Sequence, residues 1–350
     1  MNSIYTVLFS KRCRHYSKFL PLYAIPLWCA VRIKQPEHYY KRLGRMKQLV
    51  IALWIANFPI SVSALAEVTL ELHIRQRPET VVGSTVAKSI EMPTKWNAGE
   101  TAVVVCDMWD VHWCRGATAR VAEMAPRMNE VLKILRAKGA LVIHCPSGCM
   151  EFYKGTPQRR LARAAPVVVP LRPLETSRPL DPGHESVLPI DDSDGGCDCA
   201  IACPQGSPWK RQIATLEIAP EDAITDSAEA YYLMRARGIK NVIVMGVHAN
   251  MCVLGRPFAI RQLIAQNLNV VLMRDMTDTM YNSRKSPYVN HFRGTDLVVE
   301  HIERHWCGTV TSNDVTGKGA FRFADDKLAT PWSGKTIEKR EPDFRKCYAR

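Results

Sequence analysis

Acidic residues are nearly missing from the first 66 positions of this sequence. That segment carries ten Lys or Arg residues and a single acid, Glu37, and so accounts for nine of the thirteen net positive charges. A net charge of +4 remains for residues 67–350, and no basic stripe with interleaved aromatic residues lies there. The overall charge therefore does not indicate nucleic-acid binding, and we expect a small molecule as the partner.

Charged residues are absent from residues 49–66, "LVIALWIANFPISVSALA", although the residues just before this run are basic (Arg42, Arg45 and Lys47). The run ends on a small-x-small pattern, Ala64-Leu65-Ala66. A basic start, an apolar middle and a small-residue ending are typical of a secretory signal peptide. We predict a targeting segment over 1–66, with the signal at about 46–66 and cleavage after Ala66.

Cleavage would export the mature protein to the periplasm or the medium. Met46 is an alternative start, and in that case residues 1–45 would not belong to the protein. If the segment is not cleaved, its 18 uncharged residues would form a membrane anchor at the short end of what spans a bilayer.

Histidine and paired C-x2-C spacings are both missing from the densest cysteine group, "GGCDCAIACPQG", which holds Cys197, Cys199 and Cys203. This C-x-C-x3-C group can be disulfide-bonded or metal-bound, but its spacing matches no paired zinc pattern. Ten of the twelve cysteines follow Ala66, and some should pair in an oxidising compartment. We therefore predict a surface loop held by disulfides.

Strand and helix patterns alternate from Thr101 onwards. Strands are predicted at 101–108, 140–146, 213–218, 241–246 and 269–275, with a last edge strand at 308–312. Helices are predicted at 117–138, 156–165, 226–237, about 251–266 and 295–306. This alternation predicts an α/β fold of three layers, with a mainly parallel, doubly wound sheet and helices on both faces.

The main domain is predicted over residues 100–312. An N-terminal extension at 67–99 precedes it with one amphipathic strand, "VTLELHIR", and a polar tail at 313–350 wraps its surface. Residues 166–208 interrupt the domain with many Pro, Gly and Asp residues. A long insert of this kind is usually a functional lid or an interaction surface.

Three polar residues are expected near one edge of the sheet, because ligands of open α/β sheets bind at the carboxyl ends of the strands. Asp107 ends one strand, Lys210 precedes another, and Cys252 lies where a strand leads into a helix. A helix N-terminus and a cation would lower the pKa of the cysteine, and a carboxylate can accept its proton. The turn from Gly246 to Cys252 can supply N–H donors for an oxyanion.

The segments "TAVVVCDMWD" and "GVHANMCV", with a lysine between them, resemble the isochorismatase-like cysteine hydrolases, which include nicotinamidases and N-carbamoylsarcosine amidases. The resemblance covers roughly residues 100–312. It implies that Asp107 is the base, that Lys210 steadies the thiolate, and that Cys252 attacks an amide-type carbonyl. It also implies a cis peptide bond at Val247–His248, with the N–H groups of His248 and Cys252 as the oxyanion hole.

Several residues depart from the family pattern or have two interpretations. Arg211 competes with Lys210 for the cationic role. The Asp-x-His metal pattern of nicotinamidases is missing from "HCPSGCMEFYKG", and the scattered His144, His248 and His291 are more typical of hydrogen-bonded structure, so we expect no metal and no cofactor. His112 and Trp113 either line the substrate pocket or pack the loop after Asp107.

Two functions from different classes follow. The first is an exported cysteine hydrolase that cleaves a small amide or ureido C–N bond through a thioester. The second is a non-catalytic binding or scaffold protein that keeps the fold, which the cysteine-bearing insert and the displaced lysine motivate. The presence of Cys252 argues against isochorismatase activity itself, and the substrate and a homo-oligomeric state stay open.

The export hypothesis predicts the N-terminus of the mature protein. Edman sequencing of protein from the native host should begin at Glu67, because cleavage is expected after Ala66. Intact protein in the cytosol that starts at Met1 would contradict the prediction and would also remove the argument for disulfides.

Overall fold

Eight strands form one sheet in the computed structural model, which describes residues 67–78 and 89–327. They are β1 Thr69–Gln76, β2 Ile90–Asn97, β3 Thr101–Cys106, β4 Leu141–Cys145, β5 Ala223–Ile224, β6 Asn241–Val247, β7 Asn269–Asp278 and β8 Gly308–Val310. Their order across the sheet is β2-β1-β8-β7-β6-β3-β4-β5. The six strands from β8 to β5 pair in parallel, and β1 pairs antiparallel with both β2 and β8.

Helices connect these strands and cover both faces of the sheet. They are α1 Arg115–Ala137, α2 Met150–Tyr153, α3 Pro157–Arg163, α4 Glu229–Ala236, α5 Cys252–Gly255, α6 Ile260–Ala265, α7 His291–His305 and α8 Asn313–Thr316. The helix α1 packs on one face, and α4, α6 and α7 pack on the other.

Strand β3 shows why the layers form. All six of its residues are buried, as expected for a parallel strand covered on both sides. Ala102 and Val104 face the cluster that contains α4, α6 and α7, whereas Val103 and Val105 face the cluster that contains α1. The predicted three-layer α/β fold with a mainly parallel sheet is confirmed.

The predicted strand at 213–218 is wrong. The N–H of Ile213 donates to the carbonyl of Met108 (2.8 Å), and the N–H of Leu216 donates back to the carbonyl of Ile213 (3.1 Å), which makes a turn. Leu216 is buried against the core, so the apolar residues of this segment anchor a loop rather than a strand. The two-residue β5 takes the edge position instead.

The single helix predicted at about 251–266 is also wrong. It is divided into α5 and α6, because Arg256 has extended backbone angles (φ −68°, ψ 160°) directly before Pro257. A residue that precedes proline is disfavoured in the helical region, so the helix ends there.

The strand predicted at 308–312 forms as β8, but it is not an edge strand. It lies between β7 and β1, because the N-terminal segment adds two strands beyond it. The amphipathic strand of the extension is β1, with alternating buried and exposed residues, and the second strand, β2, was not predicted.

The insert at 166–208 is fully described and contains neither helix nor strand. Part of the tail that was predicted to be polar packs on the domain, where Phe323 is buried in the core. No helix in the described part of the chain is long and apolar enough to cross a bilayer. The predicted signal segment and the end of the tail lie outside the described residues.

A glycine allows β6 to approach β3 at the end of the strands. Gly246 has a positive φ of 108°, and a Cβ atom on it would lie 2.0 Å from the carbonyl oxygen of Cys106. No side chain fits there without moving the backbone that precedes Asp107.

We expect Gly246→Ala to lower the free energy of unfolding by about 2–4 kcal/mol, because it combines a strained φ with a backbone clash. The matched control is Gly139→Ala, which also has a positive φ (97°) but nothing within 4 Å of the added Cβ. Urea denaturation would measure both variants. Equal losses for the two would show that the contact with Cys106 contributes nothing.

Candidate active site

Adjacent parallel strands bring Asp107 and Cys252 to the same edge of the sheet. The strands β3 and β6 pair in register from Thr101 opposite Asn241 to Cys106 opposite Gly246. Asp107 directly follows β3, and Cys252 begins α5 after a short turn that follows β6. The predicted proximity of these two residues follows from this pairing.

Asp107 is a fully buried carboxylate at a strand end. Its Oδ1 accepts a hydrogen bond from the N–H of Ser147 at 2.7 Å, and its Oδ2 lies 3.6 Å from Nε of Arg256. Among the described residues, no hydrogen bond reaches Oδ2 by geometry. Burial raises the pKa of Asp107, and the Cys252 thiol, Arg256 and Ser147 oppose this rise.

The Cys252 side chain is partly buried beside that carboxylate. Burial raises the pKa of the Cys252 thiol well above its usual value, the charge of Asp107 raises it further, and Arg256 opposes both. The expectation of a lowered pKa is therefore wrong. The helix α5 is only four residues long, and burial together with the charge of Asp107 raises the pKa.

The turn between β6 and α5 presents backbone donors. The peptide bond Val247–His248 is cis, as predicted. The N–H of Ala249 donates to the carbonyl of Asp278 (2.7 Å), which ties the turn to β7. In the part of the chain that the structure describes, the N–H groups of His248 and Cys252 donate to no other residue. They are therefore free to bind a substrate oxygen.

The cation beside Cys252 is Arg256, which the sequence analysis missed. Its Nε faces Asp107, and its side chain is 38% exposed, so it also borders solvent. A signal was present in "CVLGRPF", since Arg256 follows the cysteine by four residues, about one helical turn.

The structure does not bring Lys210 to Asp107 and Cys252. Its side chain is exposed, and its ammonium group forms no ion pair with any described residue. The backbone N–H of Lys210 donates to Oδ1 of Asp110 (3.1 Å). Arg211, the alternative, lies 3.7 Å from Oδ2 of Asp110 and is also exposed.

His112 belongs to a stack of aromatic rings near the turn. Its ring lies 5.7 Å from that of Trp209, 5.9 Å from that of Trp109 and 4.9 Å from that of His248. The Trp109 and Trp209 rings stack at 4.2 Å and pack in a cluster that Cys252 contacts. Burial lowers the pKa of His112 to about 4, so the ring is neutral at pH 7.

Trp113 packs in a cluster with Cys114, Cys197 and Met280, and its ring also lies 5.2 Å from that of His112. His144 and His291 are each hydrogen-bonded to buried carboxylates, Asp222 at 3.1 Å and Asp278 at 2.8 Å. His248 also lies near Asp278, so His144 is apart from the other two histidines.

A cavity of about 280 Å³ opens beside Cys252. The insert supplies one wall and the segment from Asn250 onwards supplies the other. Its lining includes three arginines, Arg178, Arg256 and Arg261. Each has an acidic neighbour: Arg261 pairs with Glu185 (2.7 Å), Arg178 with Glu175 (3.2 Å), and Arg256 faces Asp107 (3.6 Å). The side chains of Arg178 and Arg256 are partly exposed. The insert therefore shapes the space in front of the thiol.

The chain is similar to several solved structures. A cysteine hydrolase from Pseudomonas syringae pv. phaseolicola 1448A is 19% identical, with 63% of this chain and 92% of that chain covered and a TM-score of 0.40. N-carbamoylsarcosine amidase from Thermoplasma acidophilum is 13% identical (62% and 99% covered, TM-score 0.34). Pyrazinamidase of Pyrococcus horikoshii in complex with zinc is 15% identical (61% and 99%, TM-score 0.35).

These matches include members of the group that the sequence motifs resemble, and others are isochorismatase-family proteins. No family model matches the chain, and no curated protein matches it.

The electrostatics of the pair predict how the thiol titrates. Asp107→Asn should lower the pKa of Cys252, because the carboxylate raises it, and Arg256→Met should raise it further. The rate of iodoacetamide alkylation against pH, followed at the Cys252 peptide by mass spectrometry, would measure this. Lys210→Met is the control and should leave the titration unchanged. A thiol pKa that rises in Asp107→Asn would contradict the placement of the two groups.

Proposed function

We propose that this protein is a cysteine hydrolase that cleaves a small amide or ureido C–N bond. The observation that supports it most is the juxtaposition of the buried Asp107 carboxylate with the Cys252 thiol, next to two free N–H groups. A nucleophile, a base and oxyanion donors are the three elements that acyl transfer requires.

In the first half of the reaction, the sulfur of Cys252 forms a bond with the carbonyl carbon while its proton passes to the free Oδ2 of Asp107. The carbonyl oxygen becomes an oxyanion that accepts hydrogen bonds from the N–H groups of His248 and Cys252. Asp107 then gives the proton to the leaving nitrogen, the C–N bond breaks, and a thioester remains on Cys252.

In the second half, Asp107 accepts a proton from water as the water oxygen attacks the thioester carbon. The C–S bond breaks, the acid is released, and the proton returns to the sulfur. Arg256 stays positive throughout and balances the negative charge, which moves between Asp107 and the oxyanion. This assigns to Arg256 the electrostatic role that the resemblance implied for Lys210.

The arginines of the cavity support a substrate that carries a negative group. Arg178 and Arg256 both line the cavity with partly exposed side chains, although Arg178 also pairs with Glu175 (3.2 Å). Arginine binds carboxylates with two parallel hydrogen bonds. The proposed substrates are therefore small amides or ureides that carry a carboxylate, and the proposed site of action is outside the cytoplasm, after cleavage near Ala66.

A non-catalytic binding protein is the second candidate, and the exposed position of Lys210 favours it. In that case the cavity would bind a small acid without turning it over. Activity measurements on a panel of carboxylated and neutral amides and ureides would separate the two functions.

On a substrate from that panel, Cys252→Ala should abolish turnover, because no other group can form the thioester. Cys252→Ser should lose several orders of magnitude, since one carboxylate is a poor base for a hydroxyl. Asp107→Asn should cost nearly as much as Cys252→Ala, and the double variant little more, because the two act as one unit.

The cation is tested in the same assay. Arg256→Met should lower kcat/KM by about 10- to 100-fold, while Lys210→Met should stay within about twofold of the wild type.

The pH dependence of kcat/KM tests the base. Its apparent pKa on the acid side should lie above the range of an ordinary aspartate, because Asp107 must be ionised to accept the proton and burial raises its pKa. Near-wild-type turnover in Cys252→Ala would overturn the proposed function.

A further inference from the structure

Four cysteines from two distant segments meet beside the N-terminus of α1. Cys114 is the N-cap of that helix, and the other three, Cys197, Cys199 and Cys203, come from the insert. The sulfur atoms of Cys114, Cys197 and Cys199 all lie within 4.8 Å of one another. Cys203 packs in the same cluster, with its thiol beside those of Cys197 and Cys199.

These cysteines are not disulfide-bonded, and the prediction of a disulfide-held loop is wrong. All nine cysteines in the described part of the chain are free. The sulfur atoms of Cys114 and Cys199 are 3.8 Å apart, whereas a disulfide bond is about 2.05 Å long. A Zn–S bond of about 2.3 Å in tetrahedral geometry places two ligand sulfurs about 3.8 Å apart, so the observed spacing fits a shared metal ion.

A backbone donor faces the cluster from the start of α1. The N–H of Gly116 donates to Sγ of Cys199 at 3.4 Å. Cys114 is itself the N-cap of this 23-residue helix, and the N-terminus of a helix favours negative charge nearby.

Glycines hold the cysteine loop in place. Gly196 has a positive φ of 72°, and a Cβ atom on it would lie 2.2 Å from the carbonyl oxygen of Met280. A Cβ atom on Gly116 would lie 2.8 Å from Oδ1 of Asp198. At Gly196 the insert therefore approaches the backbone of Met280 more closely than a side chain would allow, whereas at Gly116 the Asp198 side chain could move.

From these observations we propose that Cys114, Cys197, Cys199 and Cys203 bind one Zn²⁺ ion in a tetrahedral, structural site. Each thiol loses its proton to solvent on binding, so that four thiolates surround the ion and the site carries a net charge of −2. Zinc fits because it prefers four sulfur ligands and a closed shell. The inference does not depend on the proposed hydrolase activity.

Two guanidinium groups lie near the cluster. That of Arg284 donates to the carbonyl of Cys199 (3.0 Å). That of Arg120 donates to Oδ2 of Asp198 (3.0 Å), whose other oxygen lies 3.9 Å from Sγ of Cys114. Such groups around the ligands orient them and tune the metal.

The same contacts connect the site to the oxyanion turn. Asp198 binds Arg120, whose Nε donates to Oδ2 of Asp278 at 2.7 Å. The backbone carbonyl of Asp278 accepts the N–H of Ala249 in the turn. A zinc ion would therefore secure the end of the insert against the strand that supports the proposed oxyanion donors.

Metal analysis of the full protein tests the proposal. Protein purified without added chelator should contain about one equivalent of zinc by inductively coupled plasma mass spectrometry. Cys197→Ser should lose most of it, since three sulfur ligands bind more weakly than four. The control, Cys307→Ser, changes a partly buried free cysteine outside the cluster and should keep the full content.

Two further measurements test metal binding even if Cys197→Ser fails to fold. Replacement of zinc by Co²⁺ in the wild-type protein should give thiolate-to-metal charge-transfer and tetrahedral ligand-field bands. Cys199→His should keep a bound metal, because histidine is a common fourth ligand.

Several results would overturn the proposal. They are protein without metal, a mass decrease that shows disulfides among these four cysteines, acid-labile sulfide with iron, and unchanged zinc in Cys197→Ser.

Discussion

The parallel pairing of β3 with β6 is the constraint on which the site depends. The two strands end together, with Cys106 opposite Gly246, and each leads directly into one partner of the Asp107–Cys252 pair. Gly246 makes the contact possible because a Cβ atom would collide with the backbone of β3. On the other side, β7 holds the same turn, since the hydroxyl of Thr277 donates to the carbonyl of Gly246 at 2.7 Å. The turn is thus held from both sides before any substrate binds.

The buried charges explain how a thiol with a raised pKa can still serve as a nucleophile. An isolated carboxylate is costly to bury, and Asp107 is stabilised by Arg256 and by the N–H of Ser147. In the proposed reaction the site never holds two negative charges. The charge leaves Asp107 as the proton arrives and appears on the oxyanion, so a free thiolate is not required beside the carboxylate.

Much of the fold could be predicted because the apolar runs of β3, β6 and β7 are long and bounded by clear breaks. The segment at 213–218 was wrongly predicted as a strand because its apolar residues anchor a loop. The apolar pattern alone does not distinguish a buried strand from such a loop. The positions of Asp107 and Cys252 could be predicted because ligands of open α/β sheets bind at the carboxyl ends of the strands.

The cation could not be assigned in the same way. The four-residue spacing from Cys252 to Arg256 allows the two side chains to meet, but the sequence does not show that the irregular loop leaves Lys210 exposed. Only Cys114 was missed among the four clustered cysteines, since it lies 83 residues before Cys197. The spacing of the C-x-C-x3-C group shows three possible ligands, and only the tertiary structure adds the fourth.

The insert shows how a segment without regular structure can form a defined wall of a cavity. Its own backbone hydrogen bonds are few, so it must be held by side chains and by contacts with its neighbours. Asp192 accepts from Asn250 (2.7 Å), which lies in the oxyanion turn, and the N–H of Arg178 donates to the carbonyl of Gly255 (2.7 Å).

Glu185 is a buried carboxylate of the insert with three side-chain partners in the rest of the domain. Burial acts to raise the pKa of Glu185, but hydrogen bonds from Arg261, His301 and Trp306 outweigh burial and lower it to about 2. The carboxylate therefore stays ionised at any pH at which the protein would work, and it joins the insert to both α6 and α7. The contacts of Arg178, Glu185 and Asp192 attach the first part of the insert to the rest of the domain. The clustered cysteines Cys197, Cys199 and Cys203 follow directly in the sequence. A metal ion bound there would attach the last part of the insert to the N-terminus of α1 through Cys114.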